Sequence, residues 1–270
     1  TIPKIFMDAV NQRKLKTAMR EKHLGIWQSV TWTEYGEKSK YVGLGLKKLG
    51  LNKNDVVSIA SEGIPEWLFT DIGTICVGGI SSGVYTTDSA TQVKYLVNDS
   101  KTVFYFAENE EQLDKILEVR NECPTLKKII VYDLEGLHEY KDDQVISFDE
   151  LLLLGKRLDN EKPDEWEDAY HQVKPDDIAI LVYTSGTTGP SKGAMISNQN
   201  IVYSIESGME VFKPEPNDEQ LSFLPLCHIL ERSASVMFPL KSGAVVNFAE
   251  SIDTVPENIR EVSPTVFIAV

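Results

Sequence analysis

Cysteine is scarce in this sequence. Only Cys76, Cys123 and Cys227 occur, an odd number with no pair at metal-ligand spacing. That argues against a disulfide framework or a zinc site and fits reduced thiols in a cytoplasmic protein. Long apolar runs are absent too. None approaches the roughly 20 residues of a membrane helix, and the opening "TIPKIFMDAV" has no secretion-type apolar core. Basic residues are few: 27 Lys and Arg face 41 Asp and Glu, a net charge of −14. A surface this acidic argues against general binding to nucleic acid or anionic membranes. It leaves room for a local anion site, because exposed charges are screened beyond about 8 Å at physiological salt.

With 270 residues, 42% of them hydrophobic, the chain can bury a sizeable core. Short β-branched runs alternate with amphipathic segments. "VVSIA" (56–60), a short stretch around 83–86, "TVFYFA" (102–107), "LKKIIVYD" and "IAILVY" (178–183) read as strands. A helix from Pro65 ends at the Gly78–Gly79 pair. Ser89 with Gln92, and Ser147 with Glu150, are spaced as capping boxes. Further on, Ser197 or Asn198 can cap a helix through Val211. "LSFLPL" and "AVVNFAE" read as strands, and a helix is expected from about His228 to Leu240. Asp253 can cap a helix through Val262. Strands apolar on both faces, alternating with helices, predict an α/β protein with mainly parallel sheets covered by helices.

The acidic stretch "DNEKPDEWEDAY" (159–170) reads as a solvated linker or loop. "GLGLKKLG" reads as a helix end and "GGISSG" as a turn. The segment 264–270 has the pattern of a buried strand with no turn or cap behind it. The expectation is therefore a fragment of a longer protein.

"LVYTSGTTGPSKGAMISNQN" (181–200) carries the chemistry. An apolar strand stops, and hydroxyls and glycines follow with one lysine. Gly186, Gly189 and Gly193 allow unusual backbone conformations and close approach of backbone N–H groups. Thr184, Ser185, Thr187, Thr188 and Ser191 supply hydroxyls, and Lys192 a mobile positive charge. Together they describe a cradle for phosphate oxygens at a strand end, where α/β proteins bind ligands. A flexible Gly/Ser linker is the competing reading, but the flanking apolar segments argue against it. A Walker A loop is ruled out because Ser191, not Gly, precedes Lys192.

"YTSGTTGPSKG" closely resembles the phosphate-binding signature of the adenylate-forming enzymes: acyl-CoA synthetases, luciferases and peptide-synthetase adenylation domains. Tyr183 to Gly189, Lys192 and Gly193 match it. Ser191 replaces the common Pro, which should make the loop less rigid. "LSFLPLCHILER" (221–232) is similar to the next family motif, whose His lies near the acyl pocket. Its form resembles the long-chain fatty acyl-CoA synthetases. On its own, His228 would read as a satisfied histidine at a helix start.

The resemblance implies the N-terminal part of the large domain of such an enzyme. Residues 1–49 would pack with a second α/β layer. Residues 50–211 would form the first layer with the phosphate loop, and residues 219–270 would begin the second. The C-terminal lid domain and the motifs for adenine, ribose and Mg²⁺ would lie outside the chain. The implied reaction is a long-chain fatty acid–CoA ligation. ATP activates the acid to an acyl-adenylate, and coenzyme A then takes the acyl group. Lys192 and His228 are the catalytic candidates. Thr184, Ser185, Gly186, Thr187, Thr188, Gly189 and Lys192 are the candidates for holding the β- and γ-phosphates of Mg-ATP. None is a candidate metal ligand. An aromatic gate of the kind many relatives carry after this His is not expected at Ile229–Arg232. The partners are fatty acid, ATP and CoA. The expected location is cytoplasmic. Peripheral contact with the inner face of a membrane would suit a lipid substrate, although no segment displays it. Two alternatives stay open: adenylation of a short-chain, aryl or amino acid, and a truncated non-catalytic relative that binds nucleotide or a partner. On the leading reading, residues 1–270 alone should have little or no ligase activity.

Overall fold

A computed structural model of the chain describes residues 1–137, 140–184 and 190–269. It contains two sheets. The chain opens with α1 (Ile2–Arg13), the β1 (Thr17–His23) and β2 (Ile26–Thr31) hairpin, and α2 (Trp32–Lys48). A run of α/β units follows: β3 (Val56–Ala60), α3 (Pro65–Cys76), β4 (Ile80–Val84), α4 (Ala90–Ser100), β5 (Thr102–Ala107), α5 (Glu110–Val119), β6 (Lys128–Val131) and β7 (Val145–Ser147). Helices α6 (Phe148–Glu161) and α7 (Glu165–His171) lead to β8 (Ile178–Thr184) and β9 (Lys192–Ser197). The last part holds α8 (Asn198–Phe212), β10 (Glu219–Ser222), α9 (Ile229–Arg232), α10 (Phe238–Ser242), β11 (Val245–Phe248) and α11 (Val255–Val262).

The larger sheet has seven strands in the order β7-β6-β5-β3-β4-β8-β9. Every pairing in it is parallel except β8 with β9. The smaller sheet runs β10-β11-β1-β2. There β1 and β10 flank β11 in parallel and β2 closes the edge antiparallel. The expected α/β architecture with mainly parallel sheets is what the chain forms. No helix among the described residues is long and apolar enough to cross a membrane.

Strands β3, β4 and β5 are buried along their whole length because helices cover both faces. Helices α4 and α5 cover one face with Val93, Leu96, Val97, Leu113 and Ile116. On the other side α3 contacts β3 and β4 of the large sheet and β1 of the small one. Eleven of its twelve residues are buried. A helix apolar almost all round belongs in the centre of a fold. Close crossings need glycine there. A Cβ on Gly43 of α2 would stand 2.7 Å from the carbonyl oxygen of Gly73 in α3. One on Gly155 of α6 would run into the carbonyl of Tyr41.

Helix α3 also carries a charge into this core. Asp71 and its partner Arg232 are both fully buried and form a two-pronged ion pair, with Arg232 Nε donating to Asp71 Oδ2 at 3.2 Å. The guanidinium lies over the Trp67 ring, 5.0 Å from its centroid. This contact ties α3 to the end of α9, 161 positions along the chain.

Several sequence expectations need correction. The acidic stretch 159–170 is helical for most of its length. Its charges pair with α2 through Lys40–Asp159, Lys48–Glu161 and Lys47–Glu165, while Trp166 is buried. "GGISSG" turns only at its two leading glycines. The rest is β4, which starts three residues before the expected strand. Helix 228–240 is interrupted by one π turn, Ser233–Met237. Strand β10 stops at Ser222. Thr254, not Asp253, is the residue before α11. Among the described residues after Pro264, the chain makes an isolated bridge, Val266 to Gln220, rather than a strand.

Removing one member of a buried pair strands the other charge, at a cost of about 3–5 kcal/mol. Asp71→Ala should therefore lower stability by about that amount in urea denaturation. The double variant Asp71→Leu/Arg232→Met should recover most of it. A single variant as stable as the parent would refute the role given to the pair.

Candidate active site

Strand β8 ends at Thr184, where the glycine- and hydroxyl-rich stretch begins. Residues Ile178–Val182 are apolar and lie between β4 and β9, so the strand delivers Thr184 to the carboxyl edge of the sheet. The returning arm is β9. Thr184 faces Lys192 across the pair, and Tyr183 faces Gly193. Gly193 is extended here and belongs to a strand, so its use differs from the expected one. A Cβ there would press on the Tyr183 ring at 3.2 Å. It is glycine because the ring lies against it. Ser185, Gly186, Thr187, Thr188 and Gly189 lie outside the described residues.

A cavity of about 660 Å³ opens at this edge. Thr184, Pro190 and Ser191 form part of one wall, and His228 and Ile229 part of another. Gly83 of β4, Tyr85 and Asp88 from the connection that follows it, and Tyr95 of α4 complete the lining used below. The structure therefore brings Thr184 and His228 to one cavity. Lys192, exposed at the start of β9, is not among the lining residues described.

His228 is held by backbone geometry. It is the residue before α9, and its Nδ1 accepts the Leu230 N–H at 3.2 Å. In the neutral ring the proton is then on Nε2, which leaves a donor for a ligand. The segment carrying it packs against β4. A Cβ on Gly83 would come within 2.5 Å of the Cys227 Cα. Only a glycine lets the His228 segment sit so close to the strand end. Behind it, Glu231 is almost fully buried and accepts from Ser222 and Ser235, both at 2.6 Å. Gln220 donates to Ser235 at 2.6 Å, so β10 and the π turn share the network.

Burial governs the titratable groups here. It pushes Asp88 above the ordinary carboxylate range, partly offset by a backbone hydrogen bond and by Lys115. It pushes the Cys227 thiol up to about 12, which leaves it a poor nucleophile. Glu231 is raised by burial even though its two serine donors favour the charged form. Among the described residues, no group of three or more His, Cys, Asp or Glu side chains could hold a metal ion.

The motif residues missed Gly83, Tyr85, Asp88 and Tyr95. Gly83 and Tyr85 stood where a turn and a short strand were expected, and the signal beside Asp88 and Tyr95 was the Ser89–Gln92 helix cap.

A profile of the AMP-binding enzyme family matches residues 6–270. The chain belongs to that family. The human long-chain-fatty-acid–CoA ligase ACSBG2 is 33% identical over the whole chain, and the rat long-chain-fatty-acid–CoA ligase ACSBG1 is 32% identical over 98% of it. The chain spans 40% of the length of the first and 37% of the second. Among solved structures, an anthranilate CoA ligase, AuaEII, in complex with anthranoyl-AMP superposes with a TM-score of 0.84 at 22% identity. That match covers 98% of this chain and 49% of the ligase. The N-terminal domain of FACL13 from Mycobacterium tuberculosis gives 0.80 at 19% identity, covering 99% and 62%. The chain thus shares the fold of the N-terminal part of these AMP-binding enzymes.

The Glu231 carboxyl yields a pH prediction. Its folded pKa is raised, so the stability it contributes is fully present below its unfolded value and is lost as pH rises through the folded one. Glu231→Gln keeps the acceptor oxygen and removes the charge. The variant should gain stability over the parent as pH rises from 4 to 8, measured by thermal denaturation at each pH. A gap that stays constant or shrinks would contradict the assignment.

Proposed function

We propose that the protein is a fatty acid–CoA ligase of the AMP-forming type. A carboxylate oxygen of the acid attacks the α-phosphorus of ATP. The bond between the α-phosphorus and the bridging oxygen breaks, and pyrophosphate leaves. The thiolate of coenzyme A then attacks the acyl carbonyl, forming a thioester and releasing AMP. The observation that carries the reading is the single cavity shared by the stem of the phosphate-type turn and His228. Kinship to long-chain-fatty-acid–CoA ligases at 33% identity favours a fatty acid as the substrate.

In this reading Thr184, Lys192 and the turn residues Ser185, Gly186, Thr187, Thr188 and Gly189 receive the β- and γ-phosphates. Hydroxyls and one cation suit the charge that develops on departing pyrophosphate, and their orientation before reaction is the catalytic gain. Mg²⁺ carried on the triphosphate would offset part of its charge. His228, with Nε2–H as its donor, holds the carboxylate or carbonyl oxygen of the acid. Ser191 and Pro190 narrow the cavity without adding negative charge that would repel ATP.

The direct test is exchange of labelled pyrophosphate into ATP by the full-length protein, driven by acids of graded chain length. Exchange that peaks with long acids is the expected outcome. Exchange with aryl, amino or short acids alone would move the substrate class. ATP binding with no exchange for any acid would overturn the ligase reading. In the same assay Lys192→Ala should lower kcat by about a hundredfold, equivalent to about 3 kcal/mol in the transition state, with the KM for acid little changed. An unchanged kcat would remove Lys192 from the phosphate site.

A further inference from the structure

Helix α4 lies beside the β8–β9 hairpin and touches both of its arms. Asp99 accepts from the Tyr183 hydroxyl at 2.8 Å, on the arm entering the turn. Tyr95, four residues earlier on the same helix, donates its hydroxyl to the carbonyl oxygen of Ser191 at 2.8 Å, on the arm leaving it. Residues at i and i+4 lie on one face of a helix, so the two contacts form one edge. Tyr95, Tyr183 and Ser191 also line the cavity at the sheet edge.

Neither contact is needed to hold α4 itself. The helix is fixed at its start by the Ser89–Gln92 capping box and along its length by buried Val93, Leu96 and Val97. Tyr95 is about a third exposed, at 37%. The one described hydrogen-bond partner of its hydroxyl is the Ser191 carbonyl of the hairpin. The hairpin needs such a restraint. Strand β9 is the edge of the sheet, and the residue before Lys192 is Ser191, which, unlike proline, leaves the backbone free to rotate. The Tyr95 bond goes to the backbone oxygen of that residue, next to Lys192.

We infer that α4 is a two-point clamp on the hairpin, with Tyr95 and Asp99 as positioning residues that fix Thr184 and Lys192 relative to the cavity. The clamp acts on phosphate transfer only if the proposed function is right, so its test needs one readout that is independent of activity. Trypsin cleavage after Lys192, followed by mass spectrometry on the full-length protein without nucleotide, supplies it. Pyrophosphate exchange supplies the second.

Tyr95→Phe and Asp99→Ala should each accelerate cleavage at Lys192 several-fold. Asp99→Asn, which keeps an acceptor for Tyr183, should do so less, and Tyr203→Phe, an exposed tyrosine on α8, not at all. In exchange, Tyr95→Phe should lower kcat by about fivefold to tenfold, the equivalent of one ordinary hydrogen bond, with the KM for acid unchanged. Unchanged cleavage in Tyr95→Phe overturns the clamp whatever exchange does. Faster cleavage with unchanged kcat overturns the positioning role. Faster cleavage in a protein that supports no exchange at all, parent included, would leave the clamp standing and refute the ligase reading instead.

Discussion

The Asp71–Arg232 ion pair is the constraint on which the rest of the arrangement depends. Helix α3 is packed between two sheets and has almost no surface facing water. A carboxylate in that position costs several kcal/mol of desolvation unless a cation answers it. Arg232 does so from the end of α9, with its guanidinium also lying over Trp67. Because Arg232 ends the four-residue helix α9, the pair fixes that helix against α3. His228 opens the same helix. Burying one charge in α3 thus sets where His228 stands relative to the tip of β8.

The site is held by contacts of the same kind at shorter range. Gly83 allows the Cys227–His228 segment to lie on the end of β4, and Glu231 ties the back of α9 to Ser222 on β10 and Ser235 in the π turn. A π turn widens the helix by one residue per turn and is common where a helix serves a site. Ser235 in this turn donates to Glu231, and Met237 at its end joins the core. The two walls of the cavity are therefore independently braced. One is the β8–β9 pair, and the other is a short helix tied to α3 through Arg232 and to β10 through Glu231.

Much of this was legible in the residues, for local reasons. Capping boxes depend on three-residue spacing, so Ser89–Gln92 and Ser147–Glu150 announced α4 and α6. Fully apolar strands announced a sheet covered on both faces. The stretch after β8 stood out because hydroxyls and glycines rarely follow a buried strand by chance, although its residues 185–189 lie outside those described. What stayed hidden depended on partners distant in sequence. The acidic stretch 159–170 looked solvated because its lysine partners lie on α2, more than a hundred residues earlier. Gly83 fell within an expected strand, but the need for a glycine there comes from Cys227, distant in sequence. Arg232 was visible as part of a motif, but nothing local shows that it is buried against Asp71. Tyr95 offered no signal, since its bond is to a backbone oxygen.

The central claim is that the tip of β8 and His228 face one another across a single adenylate site. A crystal structure of the full-length protein with a nonhydrolysable acyl-adenylate analogue tests it most directly. The account predicts the phosphate linkage in the cavity between Thr184 and His228, with the His228 Nε2 within hydrogen-bond distance of an oxygen of the analogue. An analogue bound elsewhere, or bound here with His228 turned away, would contradict it.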